Sequence, residues 1–387
     1  MDYLGISQQQ LEKAGGYWTA REISQQPKIW PRILQLIAGD AALRTFLNPL
    51  MRRPDLRIVL TGAGSSSFIG ECAASALARK SALRVAAVAS TDLVGSPQSW
   101  LPQEVPTLLV SFARSGNSPE SVAALTLAAQ CVQECHHLIF TCNVEGALYR
   151  LGRTTPDTHV VLLPEETNDR GFAMTSSFSA MLLATALTFD LIGADAQGFA
   201  QLPRWADDLL TGTLPLIQSL AREGFERVVY LGSNALKGLA REAALKTLEL
   251  SDGQVVAISD TPLGFRHGPK TIVNGKTLVV LFLGNDPYTR RYDVDLLNEL
   301  RRDGIAGRVL ALTARPDHGP ASADEVVLRD AVGAPDLALC FPYAVFAQSL
   351  AFMFSLTLGL RPDTPNARGI VNRVVQGVSI YPLEPAK

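Results

Sequence analysis

The sequence predicts an α/β protein of two tandem, doubly wound αβα three-layer domains with parallel sheets. Short β-rich runs alternate with helical runs such as "FIGECAASALARK" and "SVAALTLAAQCVQEC". The strand runs are apolar throughout, as expected of parallel strands buried on both faces. The whole pattern also occurs twice. "IVLTGAGSS" from Ile58 lies over "VVYLGSNAL" from Val228, an offset of 228 − 58 = 170. "VAAVASTDL" from Val85 over "VVAISDTPL" from Val255, "TLLVSFARSG" from Thr107 over "TLVVLFLGND" from Thr277, and "IFTCN" from Ile139 over "VLALT" from Val309 keep that offset of 170. Four segments in one register point to an internal duplication.

The elements follow in order. Residues 1–52 are expected to form a helical N-terminal extension; "MDYLGISQQQLEKAGG" has neither the basic nor the apolar region of a signal peptide. Residues 53–199 form the first domain, 200–223 a linker, 224–377 the second domain and 378–387 a tail. The greasiest runs, "MLLATALTFDLIGA" and "SLAFMFSLTLGL", are too short to cross a bilayer and read as core helices.

Composition narrows the function. The chain is 47% hydrophobic and 19% charged, with a formal net charge of -2. That balance, with no long basic run, excludes nucleic acid as a partner, and no membrane is implied. Cys72, Cys131, Cys135, Cys142 and Cys340 have no zinc-site spacing and read as buried free thiols in a reducing cytoplasm. No metal or cofactor is expected.

In an open parallel sheet, ligands bind beyond the carboxyl ends of the strands, where helix N-termini favour anions. "VSFARSGNSPES" (Val110 to Ser121) is such a corner. Gly116 lets the backbone approach closely, Ser115 and Ser118 supply hydroxyls, and Pro119 suits a first helical turn. "GAGSSSF" (Gly62 to Phe68) aims Ser65, Ser66 and Ser67 toward the same crevice. One such corner would read as plain helix capping; two in one half favour a phosphate site. In the second half, "LGSNALK" and "FLGNDPYTR" have lost most of the serines, so that half keeps the scaffold without the pocket. There is no P-loop, and Ser67 stands where a dinucleotide fingerprint needs its third glycine.

The second half holds the acid–base candidates. In "REAALKTLELSDG", Glu242, Lys246 and Glu249 lie on one helix face. On pattern alone Glu242 reads as part of a solvated charged stripe, and Glu249 stays open. His267 sits between Arg266 and the rigid Gly268-Pro269, in a loop after the strand "QVVAIS". His136, His137, His159 and His318 read as structural.

In this order, "GAGSSSF", "SFARSGNSPES", "ALKTLELSDG" and "RHGP" resemble the SIS (sugar isomerase) family, including the isomerase half of glucosamine-6-phosphate synthase. "LPEETNDRGFAMTSSFS", "DTPLGFRHGPKTIVN" and "FLGNDPYTRRYD" resemble its AgaS subgroup, galactosamine-6-phosphate deaminases also labelled tagatose-6-phosphate ketose/aldose isomerases. The resemblance implies that Ser66, Ser115 and Ser118 bind phosphate, with Ser65, Arg114 and Gly116 beside them. It implies that Glu249 moves a proton between C1 and C2, with Lys246 near it. His267 would open the sugar ring from the neighbouring subunit of a homodimer or higher oligomer. Ala173 to Ser176, including Thr175, would line the sugar. The synthase carries a C-terminal lysine; here the tail reads "NRVVQGV" from Asn372, without one. The implied activity is conversion of galactosamine 6-phosphate to tagatose 6-phosphate and ammonia. The alternatives are isomerisation without deamination, glucosamine-6-phosphate deamination, or a non-catalytic sugar-phosphate sensor. A sensor would be expected to lose the Glu and the His, and both are present.

Overall fold

The computed structural model describes residues 1–193, 196–316, 324–375 and 377–383. His318 and residues 384–387 of the tail lie outside them. Twelve strands are assigned among the described residues. β1 (Asp2–Tyr3) and β2 (Ile6–Ser7) pair antiparallel. The rest form two five-stranded parallel sheets, one in each of two compact units.

One sheet contains β3 (Arg57–Thr61), β4 (Arg84–Ala87), β5 (Thr107–Ala113), β6 (Cys135–Thr141) and β7 (Thr158–Leu162), in spatial order β4-β3-β5-β6-β7. The other contains β8 (Arg227–Gly232), β9 (Val256–Asp260), β10 (Thr277–Phe282), β11 (Arg308–Thr313) and β12 (Glu325–Val327), in the order β9-β8-β10-β11-β12. Every pairing within the two sheets is parallel. The central strands β5 and β10 are buried along their whole length, which explains their unbroken apolar sequence.

The two sheets share one topology, with a register that departs slightly from the sequence offset. Ile58 pairs with Leu108 and Val228 with Leu278, and 278 − 108 = 170. Ile58 pairs with Val85 and Val228 with Ala257, so the edge strands match at 257 − 85 = 172. Ser111 pairs with Ile139 and Leu281 with Ala311, again 311 − 139 = 172. The uniform offset of 170 is thus corrected at two strands. A slip of two residues keeps every side chain on its face of the sheet, so the apolar pattern does not reveal it.

The compact units are discontinuous in sequence. One comprises Met1–Lys28, Arg170–Thr175 and Ile192–Ala367; the other comprises Ile29–Asp169, Ser176–Leu191 and Arg368–Lys387. Hydrogen bonds tie the N-terminal segment into one unit and the C-terminal segment into the other. In the first unit, Asp363 accepts from the Trp18 and Thr19 amides and the Thr19 hydroxyl. In the second, Arg114 donates to the Arg373 carbonyl. The N-terminal residues include helices Gln8–Ala14, Tyr17–Gly39 and Ala41–Met51.

Two readings change. Residues 200–223 are no linker: they lie in helices Ala196–Gly212 and Leu214–Arg222, which bury Leu202, Trp205, Ala206, Leu209, Ile217 and Leu220. The second greasy run belongs to helix Asp336–Thr357, 22 residues long and apolar enough to cross a membrane, yet its apolar stretch is wholly buried. Its core role stands on burial, and the argument from short length does not. Helix Ser176–Thr188 is likewise buried. Cys72, Cys142 and Cys340 are buried free thiols, whereas Cys131 and Cys135 are only half-buried.

Candidate active site

The serine corners lie together in one unit. They follow β3 and β5, adjacent parallel strands whose connections leave in opposite directions, which defines a topological switch point. At the first corner, Gly62 is required because a Cβ there would stand 2.6 Å from Ser66 Cβ. Gly64 has φ +56° and caps helix Ser65–Ser81 without a side-chain bond. Ser65, Ser66 and Ser67 are packed into the first turn and buried.

The second corner is braced from β6's following loop. Asn143 Nδ2 donates to the Ser115 carbonyl at 2.8 Å, the Leu148 amide to the Gly116 carbonyl at 2.8 Å, and the Ala147 amide to Asn117 Oδ1 at 2.9 Å. Gly116 has φ +65°, a conformation that favours glycine. Ser118 occupies the N-cap position of helix Pro119–Cys131, but its hydroxyl donates to Ser121 Oγ at 2.6 Å and makes no capping bond. The capping explanation therefore does not account for Ser118. Arg114 is buried, with its guanidinium on the Arg373 carbonyl.

The matching corner of the other unit is filled from within. Asp336 Oδ1 accepts from the Asn285 amide at 2.5 Å and the Asp286 amide at 3.3 Å. These amides correspond to those of Ser115 and Gly116 at the 170-residue offset. Ser233 donates to Asp293 at 2.6 Å, and burial pushes the Asp293 carboxyl up to about 6. A built-in carboxylate thus occupies the loop amides, and a buried acid crowds the corner; an anionic ligand is disfavoured there.

The acid–base residues lie in the same unit as this filled corner, on helix Ala235–Leu250. Glu249 and Glu242 flank the buried Lys246: its Nζ pairs with Glu249 Oε2 and lies 3.6 Å from Glu242 Oε1. The Lys246 and Glu242 side chains are each 1% exposed and that of Glu249 is 24% exposed. The expectation of a solvated stripe is corrected for Glu242. Tertiary packing covers this helix face, and the carboxylate is retained because an ammonium lies beside it. Glu249 alone of the three reaches solvent.

His267 lies in the turn between helices Pro262–Phe265 and Pro269–Ile272 and is exposed. Its flanks pin the loop: Arg266 pairs with Asp295 and Glu299, and Lys270 with Glu299 and Asp303. The imidazole makes no hydrogen bond among the described residues, so Arg266 and Lys270, not His267, brace the turn. No bond within the chain joins His267 to Glu249 among those residues.

Ala173 and Thr175 are fully buried and Ser176 is nearly so. Ser176 starts helix Ser176–Thr188, where Asp169 accepts from the Ser176 amide at 3.0 Å and the Ser177 amide at 2.9 Å. The sequence reading missed Asp169; a lone acid seven residues ahead of a serine pair is too weak a capping signal. His159 pairs with Asp40 at 2.9 Å, His136 lies beside Glu134, and His137 is buried. Among the described residues no group of three or more His, Cys, Asp or Glu side chains converges to hold a metal.

A parallel sheet with serine loops at its switch point defines the SIS class, and residues 50–191 match the SIS domain model. D-galactosamine-6-phosphate deaminase AgaS of Escherichia coli is 47% identical over 373 residues, 96% of this chain and 97% of that protein. The AgaS deaminase of Shewanella sp. (strain ANA-3) is 43% identical over 381 residues, 98% of this chain and 95% of that one. The crystal structure of tagatose-6-phosphate ketose/aldose isomerase from Escherichia coli matches with a TM-score of 0.89 and 44% identity, over 96% of this chain and 98% of that chain. The chain belongs to the AgaS family.

Proposed function

We propose that the chain is an amino-sugar-phosphate deaminase that converts galactosamine 6-phosphate to tagatose 6-phosphate and ammonia. Near-full-length identity of 47% to a protein of that activity supports the reading. The observation that carries the chemistry is Glu249: a carboxylate held by a buried lysine, yet open enough to meet a substrate.

The open-chain sugar has an acidic proton at C2. Glu249 takes it, the electron pair moves into the C1–C2 bond, and O1 gains a proton. The protonated Glu249 then returns its proton to C1, leaving an iminium at C2. Water adds there and ammonia departs, giving the ketose. Ser66, Ser115 and Ser118 hold the phosphate, with Ser65, Arg114 and Gly116 shaping the corner. Ala173, Thr175 and Ser176 belong to the sugar-lining segment. Lys246 orients the base, and His267 of a neighbouring subunit opens the ring. The protein is then a homodimer or higher homo-oligomer with shared sites, working in the cytoplasm. The duplicated topology reflects duplication of one ancestral SIS domain.

The E. coli structural relative favours a second reading, ketose/aldose isomerisation without deamination. One experiment separates them. The protein is incubated with galactosamine 6-phosphate, glucosamine 6-phosphate and tagatose 6-phosphate, and ammonia and the sugar products are measured. Ammonia from the galacto sugar supports the proposal. Conversion of tagatose 6-phosphate to an aldose with no ammonia from either amino sugar refutes it.

A further inference from the structure

We infer that Arg373 is a positioning residue: through it the C-terminal segment clasps the two loops that frame the serine corner. The inference rests on reading that corner as the phosphate site. The clasp is reciprocal. Arg114, the residue before Ser115, donates through Nη2 to the Arg373 carbonyl at 2.6 Å. Arg373 in turn donates through its own Nη2 to the Asp169 carbonyl, and to Asn168 Oδ1 at 3.2 Å. Asp169 is the acid that caps the Ser176 and Ser177 amides. One short piece of chain thereby ties the loop that carries Ser115 and Ser118 to the loop that starts helix Ser176–Thr188.

The same segment is anchored again further on. Val378 to Leu383 form one wall of a groove whose other lining includes Glu120 and Leu127 of helix Pro119–Cys131, the helix that begins after Ser118. Leu383 packs on the core formed by Val88, Leu93, Ala124 and Leu127. Between these anchors no described residue is in a helix or strand. The bonds made by Arg114 and Arg373 are therefore not part of any regular element, and they help to set the course of the segment near Arg114. Arg373 is exposed, so shortening it opens no core cavity. The predicted consequence is kinetic rather than global. A loop held in its binding conformation avoids the ordering cost that a free loop pays on binding. Without the Arg373 guanidinium that cost falls on each binding event, and the base helix is untouched.

The test compares wild type, Arg373→Ala, Arg373→Gln and Ser115→Ala. Ammonia release from galactosamine 6-phosphate gives KM and kcat, and calorimetric titration with inorganic phosphate gives binding without turnover. Loss of hydrogen bonds from a charged donor corresponds to roughly a tenfold change in affinity. Arg373→Ala is expected to raise KM and the phosphate Kd about tenfold, with kcat within about twofold and an unchanged Tm. Arg373→Gln, which keeps an amide donor, should fall between alanine and wild type, and it decides the matter alone if the alanine protein misfolds. Wild-type KM and phosphate Kd in the Arg373 variants, with both raised in Ser115→Ala, overturns the clasp and leaves the phosphate site standing. Wild-type values in Ser115→Ala as well overturn the phosphate site itself.

Discussion

Replacing Lys246 with methionine tests the buried centre of the acid–base helix. Methionine matches the stem of lysine and removes only the charge and its donors. The Lys246 ammonium lies 3.6 Å from the buried Glu242 carboxylate. At an effective dielectric of about 20, 332/(20 × 3.6) gives an interaction of about 5 kcal/mol. Breaking a buried ion pair from one side typically costs about 3–5 kcal/mol. A loss near 4 kcal/mol should lower Tm by roughly 10 °C in a domain of this size. The double variant Glu242→Gln/Lys246→Met removes both charges and should recover most of that loss. Neither variant should regain deaminase activity, because Glu249 has lost its orienting partner in both. Differential scanning calorimetry and the ammonia assay read the two effects separately. A single variant with a wild-type Tm would show that the pair stores no such energy. A double variant as unstable as the single one would show that shape, not charge, was lost.

Glu249→Gln should bind galactosamine 6-phosphate but lose proton transfer by well over the hundredfold usual for a general base, read as solvent deuterium incorporation at the sugar carbons; wild-type exchange would move the role to another residue. Mixing a Glu249→Gln chain with a His267→Ala chain should restore about a quarter of wild-type activity if sites are shared across a dimer, from random pairing of equal chains. No recovery, with heterodimers confirmed by mass, would refute the shared site. Burial, aided by neighbouring His136, lowers the His137 imidazole to about 4 from an ordinary 6.5. The unfolded chain then binds the proton first, so stability is lost as pH falls from about 6.5 to about 4, by roughly 3 kcal/mol in all. His137→Gln should flatten that part of the urea-melt pH profile, and an unchanged slope would exclude His137 as its source.

The sheets were legible in the sequence because parallel strands covered on both faces are apolar without alternation, as β5 and β10 are. The serine corner was legible because a glycine among small hydroxyl residues at a strand-to-helix turn is a local signal, with local causes such as the positive φ of Gly116. Other features depended on partners far away in the chain. Glu242 and Lys246 show the same spacing whether their helix face meets water or protein, and only packing makes them a buried pair. Asp336 fills the corner at Asn285 from 51 residues away, so the sequence could report the missing serines but not the acid that replaced them. Arg373 meets Asp169 across 204 residues of chain, and no periodicity records that contact. Helical and strand periods describe what a residue does for its own element. Which charge it meets, and whether water reaches it, is set by chain returning from elsewhere, and that is where the acid–base helix and the clasp acquire their chemistry.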